Sequence, residues 1–277
     1  MKSRAVVYPI YDGNAHDPMY ELIMSLRSID RHLLEDLPVY VISEKRPPYL
    51  TDHVKFVLCD GYVDAMAKAC DLAEEILWMN DDLFLLKDHT WNDFRNWVPQ
   101  AGTHSRSDEE IEKLLKSLSD WRRKRGKVMQ RLKEMGKLAR DFSTHTPYLY
   151  ESDKLKEVME IFDFGHKTPF ETAYVNYWEV PMRHCKFIRR AAGAARELLP
   201  VDCTDYELMN YDDRGIQRNS QCRGFLLGRF GSPSKYEQEN ISMRALIEKN
   251  YPVDPRLRGW EPPTQLTLPM GRDPQIQ

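Results

Sequence analysis

Short apolar runs and helical stripes alternate through the first third of the chain. Residues 5–10 (AVVYPI) form an apolar, β-rich run. Tyr20, Ile23, Leu26, Ile29 and Leu33 then recur at helical spacing across residues 20–34. Residues 39–42 (VYVI) and 54–58 (VKFVL) read as two further strands. Residues 63–75 are helical in composition, and 76–79 (ILWM) read as a fourth strand. Strand, helix, strand, strand, helix, strand predicts an α/β fold: a mostly parallel sheet with both faces covered by helices.

The pattern changes after residue 102. Ser107-Asp108-Glu109-Glu110 has the form of a capping box, with Ser107 at the N-cap and Glu110 at N3. Val128, Leu132, Met135, Ala139 and Phe142 follow at spacings of four, three, four and three, a single apolar stripe that Gly126 and Gly136 interrupt or kink. Residues 103–142 are therefore predicted to be a helical insertion, a hairpin of two helices. Residues 144–199 read as mixed and mostly helical. Ser234-Lys235-Tyr236-Glu237 reads as a second capping box that starts a helix to about residue 250. Six prolines in the last 26 residues predict an extended arm. The chain divides into an α/β part over 1–102, the insertion over 103–142, a remainder of the same domain over 143–250, and the arm over 251–277.

Composition sets the outer bounds. A 277-residue chain with 42% hydrophobic and 11% aromatic residues does not read as disordered. Its longest apolar runs, at 76–79 and 83–86, fall far short of the ~20 residues that span a bilayer. The basic N-terminus leads into an apolar stretch broken by Pro9 and Asp12, so no signal peptide and no membrane insertion are expected. The five cysteines, Cys59, Cys70, Cys185, Cys203 and Cys222, are odd in number and none stands in a CxxC pair. That argues against a disulfide framework or zinc site and suits small buried thiols in a reducing cytoplasm.

The chemistry concentrates at Asn80-Asp81-Asp82, directly after the fourth strand. Ligands of parallel α/β sheets bind beyond the carboxyl ends of strands. Adjacent carboxylates repel unless a cation lies between them, and carboxylate oxygens suit Mg²⁺ or Mn²⁺. Such residues also make ordinary polar turns, but here apolar runs flank them on both sides (LWMNDDLFLL), which predicts a position at the centre of the fold.

A strand followed by an acidic motif at this place resembles the nucleotide-diphosphate-sugar transferases of GT-A fold, with Asn80 where the first Asp of the motif would stand and Asp82 at the second. The chain also resembles the Stealth proteins, which transfer sugar-1-phosphate from nucleotide sugars. Ser25-Leu26-Arg27-Ser28-Ile29, Pro47-Pro48-Tyr49-Leu50 and Asn80-Asp81-Asp82 resemble their second region. Thr144-His145-Thr146-Pro147-Tyr148 resembles the third, and Asn210-Tyr211-Asp212-Asp213 with Phe230-Gly231-Ser232-Pro233-Ser234-Lys235-Tyr236-Glu237 the fourth. The opening Asp-rich motif of that family has only Tyr11-Asp12-Gly13 as a remnant. Where the family carries an Arg after Thr168-Pro169-Phe170, this chain has Glu171. A carboxylate takes a proton from an attacking hydroxyl rather than holding a phosphoryl group, which favours transfer of the sugar itself.

The resemblance implies a GT-A-like fold, with residues 1–102 binding a nucleotide sugar, a UDP-sugar by preference. It also implies roles for particular residues. Asp81 and Asp82 would hold Mn²⁺ or Mg²⁺, and Asn80 would contact the donor. Tyr8 or Tyr11 would stack on the base, with Asp12 holding it, while Arg27 and Lys68 would approach the diphosphate. His145 would be a metal ligand or orient the acceptor, and Glu171 would be the base. Asp212 and Asp213 would add a second acidic contact or make a surface turn.

Charge supplies the last signal. Between Arg122 and Arg140 there are nine cations and one anion, Glu134: net +8 in 19 residues, which leaves −11 for the rest of a chain at −3. A cationic ridge on an acidic body attracts a polyanion locally, nucleic-acid phosphate above all, or else an acidic glycan. Arg122, Arg123, Lys124, Arg125, Lys127 and Arg131 would bind it, and Trp121 would stack or wedge. Together these features suggest a metal-dependent glycosyltransferase acting on hydroxymethylated pyrimidines in DNA. A Stealth-like hexose-1-phosphate transferase acting on a glycan and a non-catalytic nucleic-acid-binding module are the alternatives.

Overall fold

The computed structural model describes residues 2–10, 20–99, 105–142, 146–162, 165, 169–181, 183–185, 187–190, 206–211 and 220–238. Its centre is a five-stranded sheet. β1 (Arg4–Ile10) is flanked on one side by β2 (Val39–Ser43) and β3 (Val54–Leu58) and on the other by β4 (Glu75–Trp78) and β7 (Tyr148–Glu151), giving the order β3-β2-β1-β4-β7. The first four are parallel and β7 is antiparallel to β4. The predicted α/β class with a mostly parallel, helix-flanked sheet is the observed one.

Burial on both faces explains why the strands read as continuous apolar runs. Val6, Tyr8, Ile10, Leu77 and Met79 pack with α1 (Tyr20–His32), while Ala5, Val7, Ile76 and Trp78 pack with α2 (Gly61–Cys70), α5 (Ser152–Ile161) and α6 (Phe170–Tyr177). α2 ends earlier than its composition suggests, and Glu75 opens β4 instead. Burial alone would favour the neutral acid, yet hydrogen bonds from Arg95 (2.9 Å) and the Trp91 indole (3.0 Å) hold the Glu75 carboxyl below its ordinary range. They tie the 3₁₀ turn Trp91–Asn96 to the start of β4. Cys59 and Cys70 are buried free thiols.

After β4 the chain leaves the main sheet. β5 (Leu83–Leu85) pairs antiparallel with β10 (Leu208–Tyr211), which pairs in parallel with β9 (Phe187–Arg190). β6 (Trp97–Pro99) pairs with β8 (Arg183–Cys185), and α7 (Ser220–Phe230) packs on α1.

The insertion is the predicted hairpin, α3 (Asp108–Leu115) and α4 (Asp120–Glu134). The Ser107 capping box forms on both sides: Ser107 Oγ accepts from Glu110 N–H at 3.2 Å and Glu110 accepts from Ser107 N–H at 2.9 Å. α4 stops well before the apolar stripe does. Gly136 adopts φ +71°, with its N–H on Lys133 O and Lys137 N–H on Leu132 O, both at 2.9 Å, a glycine-terminated helix end. Ala139 and Phe142 are buried from the extended segment beyond. The second box is a correction. Residues 234–238 form a turn and a bridge, Leu50 with Glu237, not the predicted helix start: the Glu237 carboxylate accepts from Ser234 N–H at 2.9 Å as well as from Arg27, but the backbone there pairs with the Tyr49–Leu50 segment, Gln238 N–H donating to Tyr49 O at 3.0 Å. Residues 239–250 and the arm lie outside the described residues.

Candidate functional site

The strand order reverses between β1 and β4. β1 leads outward to β2 and β3, and α2 carries the chain back to β4 on the other side of β1. The crevice beyond the carboxyl ends at such a switch point is the usual ligand site of open α/β sheets. Asn80, Asp81 and Asp82 stand there, in a turn that starts one residue after Met79 donates its N–H to Val7 O at 2.9 Å. All three are half-buried, while Met79 and Leu83 on either side are fully buried. The turn is neither a solvated loop nor part of the core.

Its backbone is fixed from two directions. Leu83 N–H donates to Asn80 O at 3.3 Å. From α1, Ser25 Oγ donates to Leu83 O at 2.5 Å, and Ser28 Oγ accepts from Leu85 N–H at 3.1 Å. From β10, Asn210 Nδ2 donates to Asp82 O at 3.2 Å. Every one of these bonds ends on main chain, so together they set where the two carboxylates emerge.

Other parts of the chain reach the same edge. β7 is antiparallel and begins opposite Trp78, so the Thr146-Pro147-Tyr148 segment enters the sheet at the carboxyl end of β4. Phe170 opens α6 with its ring 5.1 Å from Trp78 and 5.5 Å from Tyr62, and the half-buried Glu171 follows it in the first helical turn. A scan of protein-family models gives no match to this chain, and a search of curated proteins gives none either.

Three of the residues expected to contact a donor are engaged elsewhere. Tyr8 is fully buried and donates its hydroxyl to Ser25 Oγ at 3.0 Å; burial pushes the hydroxyl pKa up, and a core ring of this kind has no face left for a base. Arg27 is buried with Nε 2.7 Å from Glu237 and Nη1 2.8 Å from both Phe230 O and Gly231 O, so it anchors the segment after α7 and does not point to a diphosphate. Lys68 donates to Leu58 O at 2.7 Å and pairs with Asp64 at 2.7 Å, where its ammonium holds the Asp64 carboxyl below the usual range. Tyr11, Asp12, His145, Asp212 and Asp213 lie outside the described residues. Asn210, quoted above only as part of a motif, proves to be a clamp on the acidic turn; its cross-strand partner Leu83 is more than a hundred residues away, which no local pattern signals.

The basic ridge is more neutral than its sequence suggests. Arg123 and Lys124 pair with Asp120, Arg125 with Asp141, Arg131 with Glu134, Lys133 with Asp108 and Lys137 with Glu179. Arg122, Lys127 and Arg140 have no carboxylate partner among the described residues. Trp121 is half-exposed in the first turn of α4.

Among the described residues no group of three or more His, Cys, Asp or Glu side chains is gathered to hold a metal ion. Mg²⁺ in a nucleotide site takes one or two carboxylates from the protein and fills its shell with water and phosphate oxygens. Two adjacent carboxylates on a fixed, half-buried turn fit that requirement. No described helix is long and apolar enough to cross a membrane.

Proposed function

We propose that this chain is a GT-A-type, Stealth-related glycosyltransferase that moves a sugar from a UDP-sugar to a hydroxyl on DNA, a hydroxymethylated pyrimidine by preference, in the cytoplasm. The observation that carries the proposal is the seat of Asp81 and Asp82 at the switch point of a parallel sheet, on a turn clamped by Ser25, Ser28 and Asn210. Asp81 and Asp82 would hold Mn²⁺ or Mg²⁺, which neutralises the charge that grows on a departing diphosphate. Glu171 takes the proton of the acceptor hydroxyl. The freed oxygen bonds to the anomeric carbon as the bond to the diphosphate breaks, and UDP leaves with that electron pair. Asn80, on the same turn, contacts the donor. Support for a polyanionic acceptor comes from Arg122, Lys127 and Arg140, whose charges no described carboxylate offsets.

The test uses the full chain with Mn²⁺, a panel of labelled UDP-sugars and DNA carrying hydroxymethylated pyrimidines. Label is expected in the DNA, with a product mass that has gained sugar without phosphate. Asp82→Ala is expected to keep its circular dichroism spectrum and lose transfer by about a hundredfold or more. An Asp82→Ala protein that stays active without metal contradicts the proposal.

A further inference from the structure

A cavity of about 330 Å³ opens between α4 and the end of α5 and shares no lining residue with the acidic turn. One wall is cationic. Lys124, Lys127 and Arg131 stand at i, i+3 and i+7 on α4, a spacing that brings them to one face of the helix. The floor is apolar and is made by Val128, Ile161 and Phe162, while Gly165 lies at the rim. A Cβ placed on Gly165 would rest in ordinary van der Waals contact with Lys124, 3.8 Å from Nζ and 4.0 Å from Cε, so a side chain fits at this rim without a clash.

Among the described residues the charge balance favours an anion, with Lys127 carrying the argument. Lys124 is 2.8 Å from Asp120 and Arg131 is 3.5 Å from Glu134, but both acids are more than half exposed and exposed pairs are weakly coupled. Lys127 has no carboxylate partner among the described residues. Inorganic phosphate would satisfy the cations and waste the apolar floor; a phosphate ester with a flat organic body uses both. The volume is at the low end of small-ligand cavities, about 300–1,000 Å³.

We infer that this cavity binds one nucleotide unit, its phosphate on Lys124, Lys127 and Arg131 and its base or sugar against Val128, Ile161 and Phe162. The inference does not rest on the transferase reading, because it holds whether or not the acidic turn binds a donor. The unit is either a free nucleotide or one residue of a single strand, and the two are separated by experiment.

The full chain is titrated calorimetrically with AMP and, by fluorescence anisotropy, with a short labelled single-stranded DNA, for the wild type, Lys127→Glu and Gly165→Leu. Circular dichroism checks each fold. Lys127→Glu is expected to weaken binding by about tenfold or more and to flatten the salt dependence by about one phosphate contact. Gly165→Leu changes no charge but places a side chain against Lys124 at the rim of the cavity, and a similar loss is expected. AMP binding identifies a free-nucleotide site, and strand binding without AMP binding identifies a site for a unit within a strand. The inference is overturned if neither probe binds or if Gly165→Leu binds as the wild type does. Should Gly165→Leu fail to fold, the Lys127→Glu comparison decides: an unchanged affinity overturns the inference.

Discussion

Arg27 and Glu237 are 210 positions apart in sequence and 2.7 Å apart in space, both nearly inaccessible to water. A buried ion pair adds little over an apolar pair of the same shape, but removal of one partner strands a charge. Arg27→Met is therefore predicted to cost about 3–5 kcal/mol, while Arg27→Met with Glu237→Leu costs clearly less than the single change. Urea unfolding of the three proteins checks this, and a double variant no better than the single one contradicts it. The same distance explains why the role of Arg27 was not legible. On α1 it looks like any helical arginine, and its partner and its carbonyl acceptors, Phe230 and Gly231, come from the far end of the chain. Tyr8 was misread for a related reason: an aromatic at the end of a strand looks like a base platform until Ser25 is seen to receive its hydroxyl.

Elements were legible where one local property sufficed. β1, β2 and β4 are short apolar runs because both of their faces are covered, and the Ser107 capping box is a contact three residues long. The Ser234 box misled because its local contact forms without a helix start: Glu237 accepts from Ser234 N–H, yet its backbone bridges to Leu50, far away in sequence. The end of α4 misled because buried residues at helical spacing continue past Gly136 on non-helical backbone. Gly126 has a separate task. A Cβ there would lie 3.1 Å from Leu114 Cβ, Leu115 Cγ and the Leu115 backbone nitrogen, so it marks a close approach of α4 to the end of α3. Alanine would gain about 1 kcal/mol in helix propensity, against an overpacking cost of about 1–3 kcal/mol. Valine has less propensity to gain and more atoms to place. Gly126→Val is predicted to destabilise the hairpin, seen as faster hydrogen exchange of the α3 amides; protection equal to or above wild type contradicts the close approach.

For the molecule as a whole, the sequence indicated the sheet and the acidic turn but not the reversal of strand order that makes the turn a crevice, since order depends on which strands pair. It also overstated the ridge, because Asp108, Asp141 and Glu179 arrive from outside α4 or its first turn and neutralise cations there. What remains is a clamped acidic turn at a switch point and a separate cationic cavity on a helical insertion. The central claim, that Asp81 and Asp82 hold a divalent cation with a donor diphosphate, is tested most directly by calorimetric titration of UDP into the full chain with Mn²⁺ and with a chelator. The account predicts UDP binding that requires the metal and weakens by about tenfold or more in the Asp81→Ala, Asp82→Ala double variant. Equal UDP affinity without metal, or in the double variant, would contradict it.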